Sequence, residues 1–134
     1  MRRDVYSGRL KLNGEEQETT LRAANNYADS LVNLERFEEA KALMRKTMPV
    51  VRRVLGDGHR LTLKMRKMYA TALYKDDGAT LDDSREAVER LEATERTARR
   101  VLGGAHPLTT QIERELRYAR AALRARETPP ASQA

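Results

Sequence analysis

One stretch of the sequence occurs twice: Val54-Leu55-Gly56-Asp57-Gly58-His59-Arg60-Leu61-Thr62 returns 47 positions later as Val101-Leu102-Gly103-Gly104-Ala105-His106-Pro107-Leu108-Thr109. Upstream, residues 14–21 correspond to residues 56–63 with an offset of 42. Self-similarity with a period of roughly 20–50 residues is typical of stacked repeat arrays. The sequence therefore predicts repeats, each about one helical hairpin plus a loop.

The composition favours helices over strands. The chain has 134 residues and a formal net charge of +6; 34% of its residues are charged and only 4% are aromatic. Good helix formers are common, and β-branched and aromatic residues are sparse. We expect one all-α domain, because this length supports a single hydrophobic core.

The same composition bears on the compartment. No stretch approaches the roughly 20 apolar residues that a membrane span requires, and the N-terminus lacks an apolar signal core. The absence of cysteine fits a reducing compartment and excludes disulfides and thiolate zinc sites. We expect a cytoplasmic protein with no membrane association.

Apolar residues recur every three or four positions in five segments, the pattern of amphipathic helices. Their buried stripes are predicted as Leu21, Ala24, Tyr27, Ala28, Leu31 and Leu34; Phe37, Ala40, Met44, Met48, Val51 and Leu55; Leu63, Tyr69, Ala70 and Leu73; Ala87, Leu91, Ala98 and Val101; and Ile112, Leu116, Ala119 and Leu123.

Local signals predict where these helices end. Gly56 is expected to close the second helix in the left-handed conformation, and Asp83 with Glu86 forms a candidate capping box. Pro49 removes a hydrogen bond to the Arg45 carbonyl and is expected to kink or split the second helix. The five extra residues of the second unit are expected to lengthen the turn at residues 75–83.

These motifs resemble tetratricopeptide repeats of the kinesin-light-chain type. The resemblance covers residues 13–123 and is carried by Thr20-Leu21, Asn25-Asn26-Tyr27-Ala28, Arg36-Phe37-Glu38-Glu39-Ala40, Arg53-Val54-Leu55-Gly56, Arg100-Val101-Leu102-Gly103, His106-Pro107 and Thr109. The chain departs from the family pattern at Glu35, Arg60 and Ser84. The resemblance implies a right-handed α-solenoid with two hairpins and a C-terminal capping helix.

The expected organisation is an N-terminal arm or partial helix at 1–12, a repeat domain at 13–127 and a disordered tail at 128–134. Within the domain, the repeats span about 13–56 and 57–103, and a half repeat spans about 104–127. The half repeat lacks a second helix, so Arg117, Arg120 and Arg124 are expected to face water as a cap. Because arrays of fewer than three repeats are marginal, self-association is a further expectation.

Candidate catalytic residues are few. His59 and His106 occupy equivalent loops of successive repeats, so they are expected to brace those loops rather than to form one site. Residues 56–60 match no phosphate-binding loop, and no serine lies in a nucleophile elbow. We expect no enzymatic activity, no cofactor and no metal site.

Binding is the remaining class, because in a stacked array the first helix of each hairpin lines a concave groove. The predicted groove residues are Arg22, Asn25, Asn26, Asp29, Lys64, Lys67, Met68, Thr71, Gln111, Arg114, Glu115 and Tyr118. Four are cationic and two are anionic. The resemblance implies that Asn25 and Asn26 contact the main chain of a ligand and that the cations hold acidic residues. We therefore expect a scaffold or adaptor that binds an extended acidic peptide.

Three alternatives stay open. The charged helix faces are also compatible with ordinary solvated surface, with a self-associating structural fragment, or with weak binding of RNA or another polyanion. Nucleic-acid binding is disfavoured, since the cations are interleaved with acids and the chain has no block of Lys and Arg with aromatic residues for base stacking.

Overall fold

The computed structural model describes residues 18–128, which form five α-helices and no β-strand. The helices are α1 (Glu18–Asn33), α2 (Phe37–Leu55), α3 (Arg60–Lys75), α4 (Leu81–Leu102) and α5 (Pro107–Glu127). The predicted all-α fold with two hairpins and one final helix is confirmed. The expectations for residues 1–17 and 129–134 lie outside the described residues. No described helix combines the length and the apolar character that crossing a bilayer requires.

The helices stack as consecutive hairpins. Each helix packs against the next one in the chain, and α3 also packs against both α1 and α5. Among the described helices, α2 and α4 have no close backbone contact with each other. The first helices of the hairpins, together with α5, thus form one row, and α2 and α4 form a second row. This is an α-solenoid, with α3 at its centre.

Most residues of the predicted stripes are buried, four are half-buried (Tyr27, Phe37, Leu55 and Leu123), and two are exposed. Leu34 and Val101 were expected on buried faces, but they are 65% and 51% exposed, so these two assignments are wrong. Leu34 lies just beyond the end of α1, in a turn where Glu35 has a φ of 59°. Val101 lies in the last turn of α4 and covers the loop before α3: a Cβ on Gly58 would approach its Cγ2 to 2.9 Å.

The two repeats differ in length at two places. The loop between α1 and α2 has three residues and the loop between α3 and α4 has five, while α2 has 19 residues and α4 has 22. Two of the five extra residues therefore lie in the loop, and three lengthen α4. The expectation of a lengthened turn accounts for only part of the difference.

Helix ends explain the repeated motif. His59 and His106 are the N-caps of α3 and α5, and their Nδ1 atoms accept hydrogen bonds from the backbone N–H groups of Leu61 and Leu108 at 3.1 and 3.0 Å. An N-cap acceptor satisfies a backbone donor that has no partner within the helix. The prediction that the histidines brace the loops is confirmed.

Three expected helix-end features need correction. Gly56 and Gly103 have positive φ values of 90° and 91°, but ψ values of 159° and 155° place them outside the left-handed helical region. The capping box of α4 joins Thr80 to Asp83, not Asp83 to Glu86, because the helix begins earlier than expected. Finally, α2 runs from Phe37 to Leu55 through Pro49 as one helix, so the predicted split is wrong.

The last helix has the expected capping surface. Arg117, Arg120 and Arg124 on α5 are exposed, as predicted for a half repeat without a second helix. Arg120 also pairs with Glu92 of α4 at 3.0 Å. The opposite side of α5 is buried through Ile112, Leu116 and Ala119.

Candidate functional site

The predicted groove contains a cavity of about 210 Å³ formed by α1, α3 and the first turns of α5. We call it the groove cavity. Its lining residues all belong to the predicted groove set: Asn25, Asn26, Asp29, Lys64, Lys67, Met68 and Gln111. Residues from three helices that are far apart in sequence therefore converge at one place.

The groove continues beyond this cavity. Lys64 also lines a neighbouring cavity of about 430 Å³, together with Arg22 and the loop around His59. Arg22 pairs there with Glu18 at 2.7 Å. Because Lys64 borders both cavities, they form one concave surface that extends from the first turns of α1 towards α5.

Asn25 is part of the packing as well as of the groove. Its side chain is 5% exposed, and its Nδ2 atom donates a 3.2 Å hydrogen bond to the carbonyl of Leu61. This bond ties α1 to the start of α3. The resemblance assigned Asn25 a contact with ligand main chain, and that role stays a prediction beside the structural one.

Lys67 is the most perturbed cation of the groove. Burial lowers its pKa; Glu115 and Asp29 oppose this shift, and Arg114 and Lys64 reinforce it. An ammonium group that is partly removed from water gains from an added anion close by. Lys67 is therefore an ammonium group that a nearby anion would stabilise.

Glu115 is held firmly against α3. Its Oε1 accepts a 2.5 Å hydrogen bond from the hydroxyl of Tyr74 and lies 3.1 Å from Oγ1 of Thr71. The Thr71 hydroxyl also lies 3.0 Å from the carbonyl of Lys67, so its one proton is shared between two acceptors. Burial, followed by the bond to Glu115, raises the pKa of Tyr74. This carboxylate is thus a fixed negative charge beside the groove cations.

Tyr74 is the residue that the sequence reasoning missed. It follows Thr71 by three positions and Lys67 by seven, a spacing that places all three on one side of α3. That spacing was sufficient to predict that Tyr74 lies on the same side of α3 as the groove residues, although its side chain is buried and lines neither cavity. The hydrogen bond from Tyr74 to Glu115 of α5 could not be predicted from the sequence, because it depends on how far α5 is shifted along α3.

The remaining predicted groove residues lie on α5 beyond the groove cavity. Arg114 is exposed, and Tyr118 is 52% exposed. Neither lines the groove cavity itself. They follow Gln111 by three and seven residues on the same helix, so they extend the groove along α5.

Residues 18–128 contain no group of three or more His, Cys, Asp or Glu side chains positioned to hold a metal ion. The two histidines are used as N-caps at the starts of different helices. Amides, cations and two carboxylates lie along the groove; Asn25 is buried, and Lys67 and Glu115 are half-buried.

The comparison with known families agrees with this geometry. Residues 20–61 match the family model described as tetratricopeptide repeat. The match spans 42 of the 134 residues and runs from α1 into the first turn of α3. The second hairpin, outside the match, repeats the same cap geometry at Gly103 and His106. The all-helical stack of hairpins is thus consistent with a solenoid of the tetratricopeptide type. No curated protein and no solved structure gives a significant match to the chain.

Tetratricopeptide repeats generally mediate contacts between proteins. The matched segment contributes Asn25, Asn26 and Asp29 to the groove cavity. The other lining residues of the cavity belong to α3 and α5. They lie beyond residue 61, where the match ends.

Proposed function

We propose that the chain is a non-catalytic adaptor or scaffold that binds an extended, acidic peptide along its concave groove. The observation that carries this proposal is the convergence of Lys64 and Lys67 with the amides of Asn26 and Gln111 around one cavity. Amide side chains both donate and accept hydrogen bonds, as a peptide main chain requires. The cations add attraction for carboxylates.

Two carboxylates beside the groove limit which acidic peptides it can bind. Asp29 borders the cavity beside Lys67, and Glu115 is held by Thr71 and Tyr74 next to it. A continuous run of acidic residues would meet these two carboxylates and be repelled. We therefore expect acidic residues that are separated by neutral ones, so that they reach the cations and avoid Asp29 and Glu115.

Charge is expected to act on the rate of encounter and on the choice of partner more than on affinity. Lys67 is the exception, because burial has already lowered its pKa. A ligand carboxylate next to Lys67 offsets part of the hydration free energy that the ammonium group loses on burial. Affinity should therefore depend on Lys67 more than on the exposed Lys64.

The proposal includes two finer assignments. The chain is placed in the kinesin-light-chain-like subfamily on the strength of its Asn-Asn-Tyr-Ala motif at 25–28 and its paired Arg-Val-Leu-Gly motifs at 53–56 and 100–103. A cytoplasmic location is proposed because the chain contains no cysteine.

The experiment is affinity capture from lysate followed by mass spectrometry, with wild type compared to the double variant Lys64→Glu/Lys67→Glu. The control is Lys46→Glu/Lys75→Glu, which makes the same charge change at two exposed lysines outside the groove cavity. Acidic segments of the captured proteins are then synthesised and titrated by fluorescence anisotropy.

The proposal predicts partners that the control retains and the groove variant loses, with at least about a tenfold loss of peptide affinity. Capture that survives the groove variant would refute the groove. Capture of the chain itself would favour self-association, and a steep loss of binding with added salt would favour a polyanion.

A further inference from the structure

A second concave site lies between the two outer helices. Since α2 and α4 do not contact each other and both pack on α3, a cleft remains between them. It encloses about 370 Å³, a volume within the usual range of small-molecule sites. Its residues belong to the outer row, except for Tyr69 of α3, and none of them lines the groove cavity.

The floor of this cleft is apolar and buried. Met44 is 0% exposed, and Met48 and Tyr69 are each 6% exposed. The Tyr69 ring is covered by the guanidinium of Arg90, which lies 4.8 Å from the ring centroid. A cation this close to an aromatic face is attracted to it. Met44 and the Tyr69 ring thus lie just below the surface of the cleft, with the positive charge of Arg90 directly above the ring.

The rim of the cleft is cationic. Arg45, Arg52 and Arg90 all line it. Each of them makes its hydrogen bond or ion pair within the fold through Nε. Nε of Arg45 donates to the Tyr69 hydroxyl at 3.2 Å. Nε of Arg52 lies 3.1 Å from Asp57, and Nε of Arg90 lies 2.7 Å from Glu86. These bonds orient the three side chains. They do not use the terminal nitrogens, which carry four of the five N–H donors of a guanidinium.

Positive charge exceeds negative charge at this rim. The three arginines are accompanied by the carboxylates of Asp57 and Glu86. A fourth arginine, Arg66 of α3, donates to the Asp57 carbonyl at 3.3 Å. Burial lowers the pKa of Arg66, and the nearby charges of Arg52 and Arg90 lower it further, against the effect of Asp57. Around Arg45, by contrast, the Tyr69 hydroxyl, Glu38 and Glu86 raise the pKa of the guanidinium, so the shortage of anions lies on the Arg66 side of the cleft.

We infer that this cleft binds a small organic anion whose apolar body rests on Met48 and Pro49, above the buried Met44, and whose phosphate or carboxylate head meets Arg45 and Arg90. Guanidinium groups bind both head groups through paired N–H donors. Inorganic phosphate lacks the apolar body and should bind more weakly. The inference does not depend on the peptide groove, which lies on another side of α3.

The test uses the wild-type chain with ¹³C-methyl methionine, titrated with phenyl phosphate and followed by NMR. Phenylacetate tests the carboxylate head, inorganic phosphate tests the head alone, and benzyl alcohol tests the neutral body. The methyl signals of Met44 and Met48 report on the cleft, and that of Met68 reports on the groove cavity.

The expected result is a saturable shift of the Met44 and Met48 signals with phenyl phosphate or phenylacetate, at an affinity at least about tenfold above that for benzyl alcohol. The anion that gives the larger shift of the Met44 and Met48 signals identifies the preferred head group, phosphate or carboxylate. Arg45→Gln/Arg90→Gln should weaken binding about tenfold or more. Arg96→Gln, which removes an exposed arginine from α4 outside the cleft, should leave it unchanged.

Three results would overturn the inference. One is the absence of any shift at Met44 and Met48 with both aromatic anions. Another is a response confined to Met68. The third is equal binding by wild type and Arg45→Gln/Arg90→Gln. The first two are read on the wild-type chain, so they hold even where a variant folds poorly.

Discussion

The hydroxyl of Tyr74, in the last turn of α3, donates a 2.5 Å hydrogen bond to Oε1 of Glu115 in α5. Tyr74 is 5% exposed, so the bond is largely shielded from water. The Glu115 carboxylate therefore holds α5 against α3 and places a negative charge near Lys67.

Tyr74→Phe should lower the free energy of unfolding by about 1–3 kcal/mol, because it removes a hydrogen bond to a charged group and keeps the ring in place. Urea denaturation at neutral pH, followed by circular dichroism, measures this change. Tyr118→Phe is the control. This side chain is 52% exposed, so removing its hydroxyl should lower the free energy of unfolding by no more than about 0.5 kcal/mol. Equal stability of wild type and Tyr74→Phe would contradict the structural role of the bond.

The same bond predicts a pH dependence. Burial and the Glu115 carboxylate raise the pKa of Tyr74 above its ordinary value of about 10. A group whose pKa is raised by folding stabilises the fold fully below its unfolded pKa and loses this contribution as the pH rises. The stability difference between wild type and Tyr74→Phe should be constant from about pH 7 to 9 and shrink above about pH 10. A difference that is unchanged at high pH would show that Tyr74 is not shielded.

Gly56 and Gly103 should each resist replacement by alanine. Their φ values of 90° and 91°, with ψ values of 159° and 155°, lie in a region that is essentially restricted to glycine. Each substitution should cost about 1–3 kcal/mol of unfolding free energy. The cost is one of backbone strain, since an added Cβ meets no described atom within 4 Å.

The two glycine substitutions should add, because the sites belong to successive repeats. Gly78→Ala is the control, since its added Cβ makes only an ordinary 3.8 Å contact with Asp76. Thermal denaturation of the single and double variants measures all four changes. A tolerated alanine at either position would contradict the observed loop conformation.

Asn25→Ala should lower the unfolding free energy by about 1–2 kcal/mol even without a ligand, because it breaks the buried bond to the Leu61 carbonyl. Chemical denaturation of the free protein tests this. If the variant were as stable as wild type, Asn25 would be available entirely for ligand binding, and its assignment to the packing between α1 and α3 would fail.

Sequence alone predicted the parts of the structure that depend on local pattern. The recurrence of Leu55-Gly56 and His59 at Leu102-Gly103 and His106 was sufficient to define the hairpins. Helical spacing then brought Lys64, Lys67 and Met68 to the groove. Such features follow from positions along one helix or from one loop repeated twice.

The missed features depend on how separate helices are aligned. The Tyr74–Glu115 bond joins positions 41 residues apart, and no periodicity sets the shift of α5 along α3. The cleft near Arg45 and Arg90 arises from a gap between α2 and α4. Leu34 and Val101 do continue the apolar spacing of α1 and α4. They lie at the ends of these helices, however, where the neighbouring helix no longer covers them.

An NMR titration shows whether the concave side of α1, α3 and α5 holds an acidic peptide. The chain with ¹³C-methyl methionine is titrated with a synthetic peptide of alternating Asp and Ser, and with its Asn-Ser counterpart as a neutral control. We expect a saturable shift of the Met68 signal with the acidic peptide, unmoved Met44 and Met48 signals, and loss of the effect in Lys64→Glu/Lys67→Glu. A Met68 signal that does not move, or one that moves equally in the variant, would contradict the proposed binding.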